Sequence, residues 1–308
     1  MGRVRCSALF LVSGFVIPYS LVKRTRQSFA VARILRIMPT YMIGFTITLL
    51  ALAAAGLFFD RPWPYTIQEV LIHYGPGLRD VLHYRSIDGI IWTLEIEIKY
   101  YILCAIFLLL FQRQSTFLFV IPATLFVGEL ALSRFMPVWA VELSALHAAI
   151  TPFLFSAQYI VYMIAGTALH FVFVGRMSGK MGYLLAMALL LGFLLMWALC
   201  PRLVPIDLAW SYAFALAVFV AALRFQPRAL SNPAIRLLAS ISYPLYVVHG
   251  VLGYVVLRIL MDLGVDVGQS IAVTCLIVFP LAWTIHQFVE QPGQAVARIL
   301  DAPTSQPG

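Results

Sequence analysis

About nine apolar runs, each near the length of a membrane-crossing helix, follow one another along this chain. They fall at approximately 6–22, 37–59, 92–111, 115–133, 152–174, 182–200, 204–223, 237–259 and 267–289. In hydrocarbon every backbone N–H and C=O must be satisfied within the protein, so runs of this length and spacing can fold only as helices packed on one another. The expected class is therefore all-α, a polytopic membrane helix bundle of about nine transmembrane helices. With 62% hydrophobic and 11% charged residues in 308, composition excludes a soluble domain. The chain reads as one transmembrane domain over 1–300 followed by a disordered tail at 301–308. Ser13, Gly14 and Pro18 interrupt the first run and predict a broken or kinked helix there.

The net charge of +8 does not point to nucleic acid, because the basic residues sit in short clusters between apolar runs. They report topology instead. Lys23, Arg24, Arg26, Arg33, Arg36, Arg113, Arg176, Lys180, Arg224, Arg228, Arg236 and Arg298 fall on one side of alternating spans, against Arg61, Arg79, Arg85, Arg134, Arg202 and Arg258 on the other. The richer side is expected to be cytoplasmic, with the C-terminus on it. An odd number of spans would leave Arg3 and Arg5 outside, and one further span upstream of Met1 would remove that conflict. Cys6, Cys104, Cys200 and Cys275 have no regular spacing and read as small core residues, and no histidine has metal-ligand spacing. No cleavable signal peptide, nucleophile elbow, phosphate loop or dinucleotide fingerprint is present.

The run 92–111 is the exceptional one, because Glu95, Glu97 and Lys99 occupy its first half. Charges at membrane depth are costly and mark function by default. Glu95 and Lys99 share a helical face as an i,i+4 pair and are expected to neutralise each other. Glu97 lies on the opposite face with Trp92, Thr93, Tyr100 and Tyr101, either an interior functional carboxylate or one at the interface solvated by lipid headgroups.

Two other stretches carry chemistry. Arg33 and Arg36 are three apart on a helix, so two guanidinium forks project to one side and can clamp phosphates, with Pro39 just beyond. Alternatively both anchor the helix on lipid phosphates. Ser242, Tyr246 and His249 share a helical face in the late span and suggest a lined cavity or a helix-packing histidine. His170 and His286 fall near span ends and read as interfacial, whereas His73 and His83 lie in the long segment 60–91.

Taken together these motifs resemble acyltransferase family 3, membrane enzymes that O-acylate envelope and exported carbohydrates. Phe10-Leu-Val-Ser13-Gly14-Phe-Val-Ile17 is similar to that family's F-x-x-S-G-F-L-I segment, and Arg33-x-x-Arg36-x-x-Pro39 to its R-x-x-R-[IL]-x-P. Trp92-Thr-Leu-x-x-Glu97-x-x-Tyr100-Tyr101 resembles W-[ST]-L-x-x-E-x-[FY]-[FY] with the aromatic pair offset by one. Ile241-Ser242-Tyr243-Pro-Leu-Tyr246-x-x-His249 resembles S-Y-x-[LI]-Y-x-x-H, and Glu290-Gln-Pro292 resembles the closing E-x-P.

The resemblance implies transfer of an acyl group, acetyl most simply, from acyl-CoA as co-substrate to a hydroxyl of a carbohydrate or lipid-linked sugar. It implies the lipid bilayer of a bacterial inner membrane as the setting and no bound cofactor, metal or nucleic acid. Arg33 and Arg36, with Ser13 and Gly14, would bind the donor. Glu97 would be catalytic with His249 in support, and Trp92, Tyr100, Ser242, Tyr243 and Tyr246 would line the substrate cavity. Family members have about ten spans, and their first carries a catalytic histidine that matches no residue here, so the family's first transmembrane helix is expected to be lacking. A non-catalytic member and a membrane transporter are the alternative readings.

Overall fold

A computed structural model describes residues 6–22, 24–75, 77–200, 209–226 and 232–301. Arg3, Arg5, Lys23, Arg202, Arg228 and the tail 302–308 lie outside them. The described residues form helices and turns, with no strand. In order the helices are α1 (Cys6–Leu21), α2 (Arg26–Phe58), α3 (Ile67–His73), α4 (Ile91–Ile106), α5 (Leu108–Gln112), α6 (Val120–Ser133), α7 (Met136–Glu142) and α8 (Ser144–Phe173). Then follow α9 (Gly179–Leu199), α10 (Ala209–Phe225), α11 (Pro233–Ser240), α12 (Ser242–Val248), α13 (Val251–Asp262), α14 (Val267–Ile285) and α15 (Gln291–Asp301). A π-helical turn, His286–Glu290, joins the last two.

The all-α polytopic class holds. Among the described residues five helices are long and apolar enough to cross a membrane, and α12 with α13 makes a sixth if that bent pair is one span. Helices α1 and α10 are apolar but shorter. Three local expectations are corrected. The first run is not broken but one continuous helix through Pro18, whose missing N–H falls late enough to leave the helix whole. The run 237–259 is not one helix, because it breaks at His249–Gly250 and bends by 54°. His170 is not interfacial but 1% exposed, with the Tyr19 ring edge-on at 4.2 Å.

The chain divides into two compact units, each assembled from separated segments. Over the described residues, the first comprises Met1–Arg26, Asp80–His83 and Thr93–Pro227. Its centre is α8, with α1, α6 and α9 laid against it. Two glycines make the α1–α8 crossing possible. A Cβ on Gly14 would stand 1.8 Å from the Met163 carbonyl oxygen, and one on Gly166 would stand 2.2 Å from that of Leu11. Lipid tails are as apolar as leucine, so such close backbone approach, rather than hydrophobic burial, drives helix pairing here. An aromatic knot of Tyr159, Tyr162, Phe193, Trp197 and Tyr212 fills the α8–α9–α10 side, and the Tyr162 hydroxyl donates to the Tyr212 carbonyl at 2.9 Å.

The second unit comprises Gln27–Arg79, Tyr84–Trp92 and Arg228–Gly308. Val248, Val278, Ala282 and Ile285 form its apolar centre, and Gly44 of α2 lets Val247 of α12 approach, since a Cβ there would meet Val247 Cγ1 at 2.1 Å. Outside the spans, α3 starts with a reciprocal capping box between Thr66 and Glu69. The Arg85 hydrogen bond, with the Thr66 backbone N–H, holds the Glu69 carboxyl down at about 2.

His73 closes α3. Ile87 N–H can only donate, so Nε2 of His73 accepts at 3.0 Å and Nδ1–H donates to the Glu69 carbonyl at 2.7 Å. The ring is fully buried and stacked on Phe45 of α2, 5.3 Å between centroids. Burial pushes its pKa below the usual histidine range, against the pull of the Glu69 carbonyl and of Asp88, with Arg79 adding to the lowering.

Two outcomes follow from this packing. Gly166→Val forces α1 away from α8 and should destabilise the detergent-solubilised protein by about 1–3 kcal/mol, read as a lowered thermal midpoint. Because His73 binds its proton less readily folded than unfolded, stability is unaffected above about pH 6.5 and declines as pH falls below it. Between about pH 7.5 and about pH 5 the wild type should lose thermal stability and Ile87 amide protection, whereas His73→Gln should show a flatter profile.

Candidate functional site

Glu97 sits two turns into α4, where an apolar environment gives a carboxylate no water. It is 8% exposed and takes hydrogen bonds from two hydroxyls. Ser13 of α1 donates to Oε1, and Tyr101, one turn further along α4, donates to Oε2 at 3.3 Å. Beneath this pair runs a second chain of hydroxyls: Tyr100 meets Thr167 at 3.0 Å, and Thr167 donates to the Gly14 carbonyl at 2.9 Å. Ser13 is therefore brought directly onto Glu97. Gly14 supplies the close approach to α8 and a carbonyl acceptor. Tyr100 is wholly buried and ties α4 to α8.

The other charges of α4 pair differently from the expected i,i+4 bridge. Lys99 makes its salt bridge with Asp80, and Glu95 accepts the Asp80 backbone N–H at 3.1 Å. A loop carboxylate can approach the Lys99 ammonium from outside the helix, which the i,i+4 geometry of an α-helical surface does not require. At its N-terminus α4 is capped by Asp88, whose Oδ1 accepts the Ile90 and Ile91 N–H groups, each at 3.1 Å. Oδ2 of the same carboxylate accepts the Tyr41 hydroxyl of α2 at 3.1 Å. Asp80, Asp88 and the buried Glu129 of α6 were not singled out by sequence. For Asp88 the signal existed, an acidic residue four positions before the apolar run. Trp92, half-buried, is the second residue of the helix.

In the second unit Arg33 is 8% exposed with its guanidinium 5.5 Å from the centroid of the Phe29 ring, whereas Arg36 is exposed. The residues between and after them are touched by other helices of the unit. The Tyr243 hydroxyl donates to the Ile37 carbonyl at 3.0 Å, and Gly293 of α15 presses on Leu35. Ser242 is exposed and turns back to the Ala239 carbonyl at 2.8 Å. Tyr246 and His249 are half-buried, 5.9 Å between ring centroids. His249 directs Nδ1 at the Leu245 and Tyr246 carbonyls, both at 2.9 Å, so Nδ1 carries hydrogen. The break after it lies over the α4 cap: a Cβ on Gly250 would be 4.0 Å from the Asp88 carbonyl.

His286 is also not interfacial. It is 8% exposed and bonded through Nδ1 to Glu290 at 2.7 Å. No cluster of three or more His, Cys, Asp or Glu suited to a metal occurs among the described residues.

The first unit thus offers a buried carboxylate served by exchangeable hydroxyl donors. The second offers two arginines on a helix held by neighbouring helices. No curated protein and no solved structure matches the chain. The family model described as an acyltransferase domain matches residues 1–286. With that match over most of its length, the chain belongs to acyltransferase family 3.

Proposed function

We propose that this membrane protein transfers an acyl group, acetyl most simply, from acyl-CoA to a hydroxyl of a cell-envelope or exported carbohydrate. The observation that carries the reading is Glu97, a buried carboxylate on an apolar helix whose two oxygens are engaged by the Ser13 and Tyr101 hydroxyls. A sugar hydroxyl is the same kind of donor and can replace either. Hydrogen-bonded to Glu97, an acceptor hydroxyl is oriented with its lone pair toward the donor carbonyl and made more nucleophilic. Attack forms the new C–O bond and the thioester C–S bond breaks, and the hydroxyl proton ends on the departing sulfur, so that CoA leaves as the thiol.

Arg33 and Arg36 are suited to the donor's phosphates, because a guanidinium fork binds phosphate oxygens in pairs and the Phe29 face keeps Arg33 oriented. Tyr246 and His249 suit a carbohydrate path, with a phenol and an imidazole beside each other. The excess of Lys and Arg on one side of the spans supports a bacterial plasma-membrane protein with a cytoplasmic C-terminus.

Purified protein in vesicles, given labelled acetyl-CoA and a carbohydrate acceptor, tests this. Glu97→Gln should cut transfer by about 100-fold or more with unchanged membrane insertion; full activity would remove Glu97 from the chemistry. Arg33→Ala with Arg36→Ala should raise the KM for acetyl-CoA by about tenfold or more and leave the acceptor KM alone. Accumulation of carbohydrate in the vesicles with no acyl transfer would favour a carrier instead.

A further inference from the structure

Pro39 has no N–H, so the Leu35 carbonyl four residues earlier lacks its helical donor. Gly293 of α15 lies against that carbonyl. A Cβ there would stand 2.6 Å from the Leu35 oxygen and 3.9 Å from Pro39 Cγ, a space no other residue type fits without movement of backbone. Leu35 stands between Arg33 and Arg36 in sequence, so α15 bears on α2 at the level of the arginine pair.

What sets α15 at that height and angle is the π turn before it. Across His286–Glu290 the ladder runs i to i+5, with the Gln291 N–H donating to the His286 carbonyl. Such a turn inserts one extra residue, is rare and needs support from elsewhere. The support is a closed side-chain network. Glu290 Oε2 takes His286 Nδ1–H at 2.7 Å, its Oε1 takes the Gln294 amide at 3.0 Å, and the Gln291 amide donates to His286 Nε2 at 3.1 Å. His286 and Glu290 are 8% and 3% exposed. Both ring nitrogens are already engaged, which suits an anchoring role rather than contact with a reacting atom.

We propose that His286 and Glu290 are positioning residues for the donor site. Their bond locks the π turn, the turn seats Gly293 on the Leu35 carbonyl, and that contact fixes the helix carrying Arg33 and Arg36 at the angle that receives the donor phosphates. The proposal rests on the reading of those arginines as donor ligands, so the test measures both.

The measurement is steady-state acyl transfer in vesicles, with acetyl-CoA and acceptor varied separately. His286→Leu and Gly293→Ala should each raise the acetyl-CoA KM by about tenfold while kcat and acceptor KM stay within about twofold. His286→Asn keeps an N–H where Nδ1 stood and should remain near wild type. Combined with Arg33→Ala and Arg36→Ala, His286→Leu should add nothing further. If the arginine variant alone leaves the acetyl-CoA KM unchanged, the donor reading fails and this inference with it. If the arginine variant raises it but His286→Leu and Gly293→Ala do not, only the inference fails. A fall in kcat at unchanged KM, or His286→Asn as impaired as His286→Leu, also overturns it. Should His286→Leu not fold, the Gly293→Ala and His286→Asn results decide.

Discussion

A polar group inside an apolar helix bundle has no water to turn to, and the arrangement of both units follows from where each such group finds a partner. Glu97 is satisfied by hydroxyls from α1 and from its own helix. The Thr167 hydroxyl finds the Gly14 carbonyl only because Gly14 and Gly166 bring α1 and α8 to backbone contact. The serine and glycine of the first helix are thus two halves of one arrangement: the glycine lets the helix in, and the serine then reaches the carboxylate.

The same constraint acts on the backbone of α2. Proline removes a donor at the point where two arginines project, leaving a carbonyl that must be covered. Gly293 covers it, and Tyr243 adds a phenol to the nearby Ile37 carbonyl. The R-x-x-R-x-x-P spacing therefore carries two requirements. The arginines place two guanidinium groups on the helix, and the proline sets which helices must pack against it.

Much of this was legible because it is local. Glu97 stood out as a charge in an apolar run, the Arg33–Arg36–Pro39 spacing placed two forks on a helix, and the all-helical class followed from the length of the apolar runs. What escaped depends on loops and on helix ends. Lys99 bonds to Asp80, nineteen residues earlier, and no periodicity relates a helix to a loop carboxylate. The late span reads as a single helix because its hydropathy is continuous, yet it breaks after His249. His170 sits near a helix end in sequence, but its helix is 30 residues long and that end is still packed within the unit. A π turn has no compositional signature, so the His286–Glu290 bond could not be told from two interfacial residues at i,i+4.

The segment 60–91 shows how structural and functional roles overlap. By length it invites assignment as an acceptor-binding loop, yet its carboxylates serve α4 first. Asp80 neutralises Lys99, and Asp88 caps the helix that carries Glu97 while holding Tyr41. Ile87, the residue just before that cap, hangs on the neutral Nε2 of His73. Burial makes this histidine, which lies outside the spans, harder to protonate. Acid would protonate the nitrogen that accepts the Ile87 N–H, turn acceptor into donor, and free the segment that caps α4. Order in the segment 84–92 and capping of α4 are, on this geometry, coupled through Asp88 rather than independent properties of helix and loop.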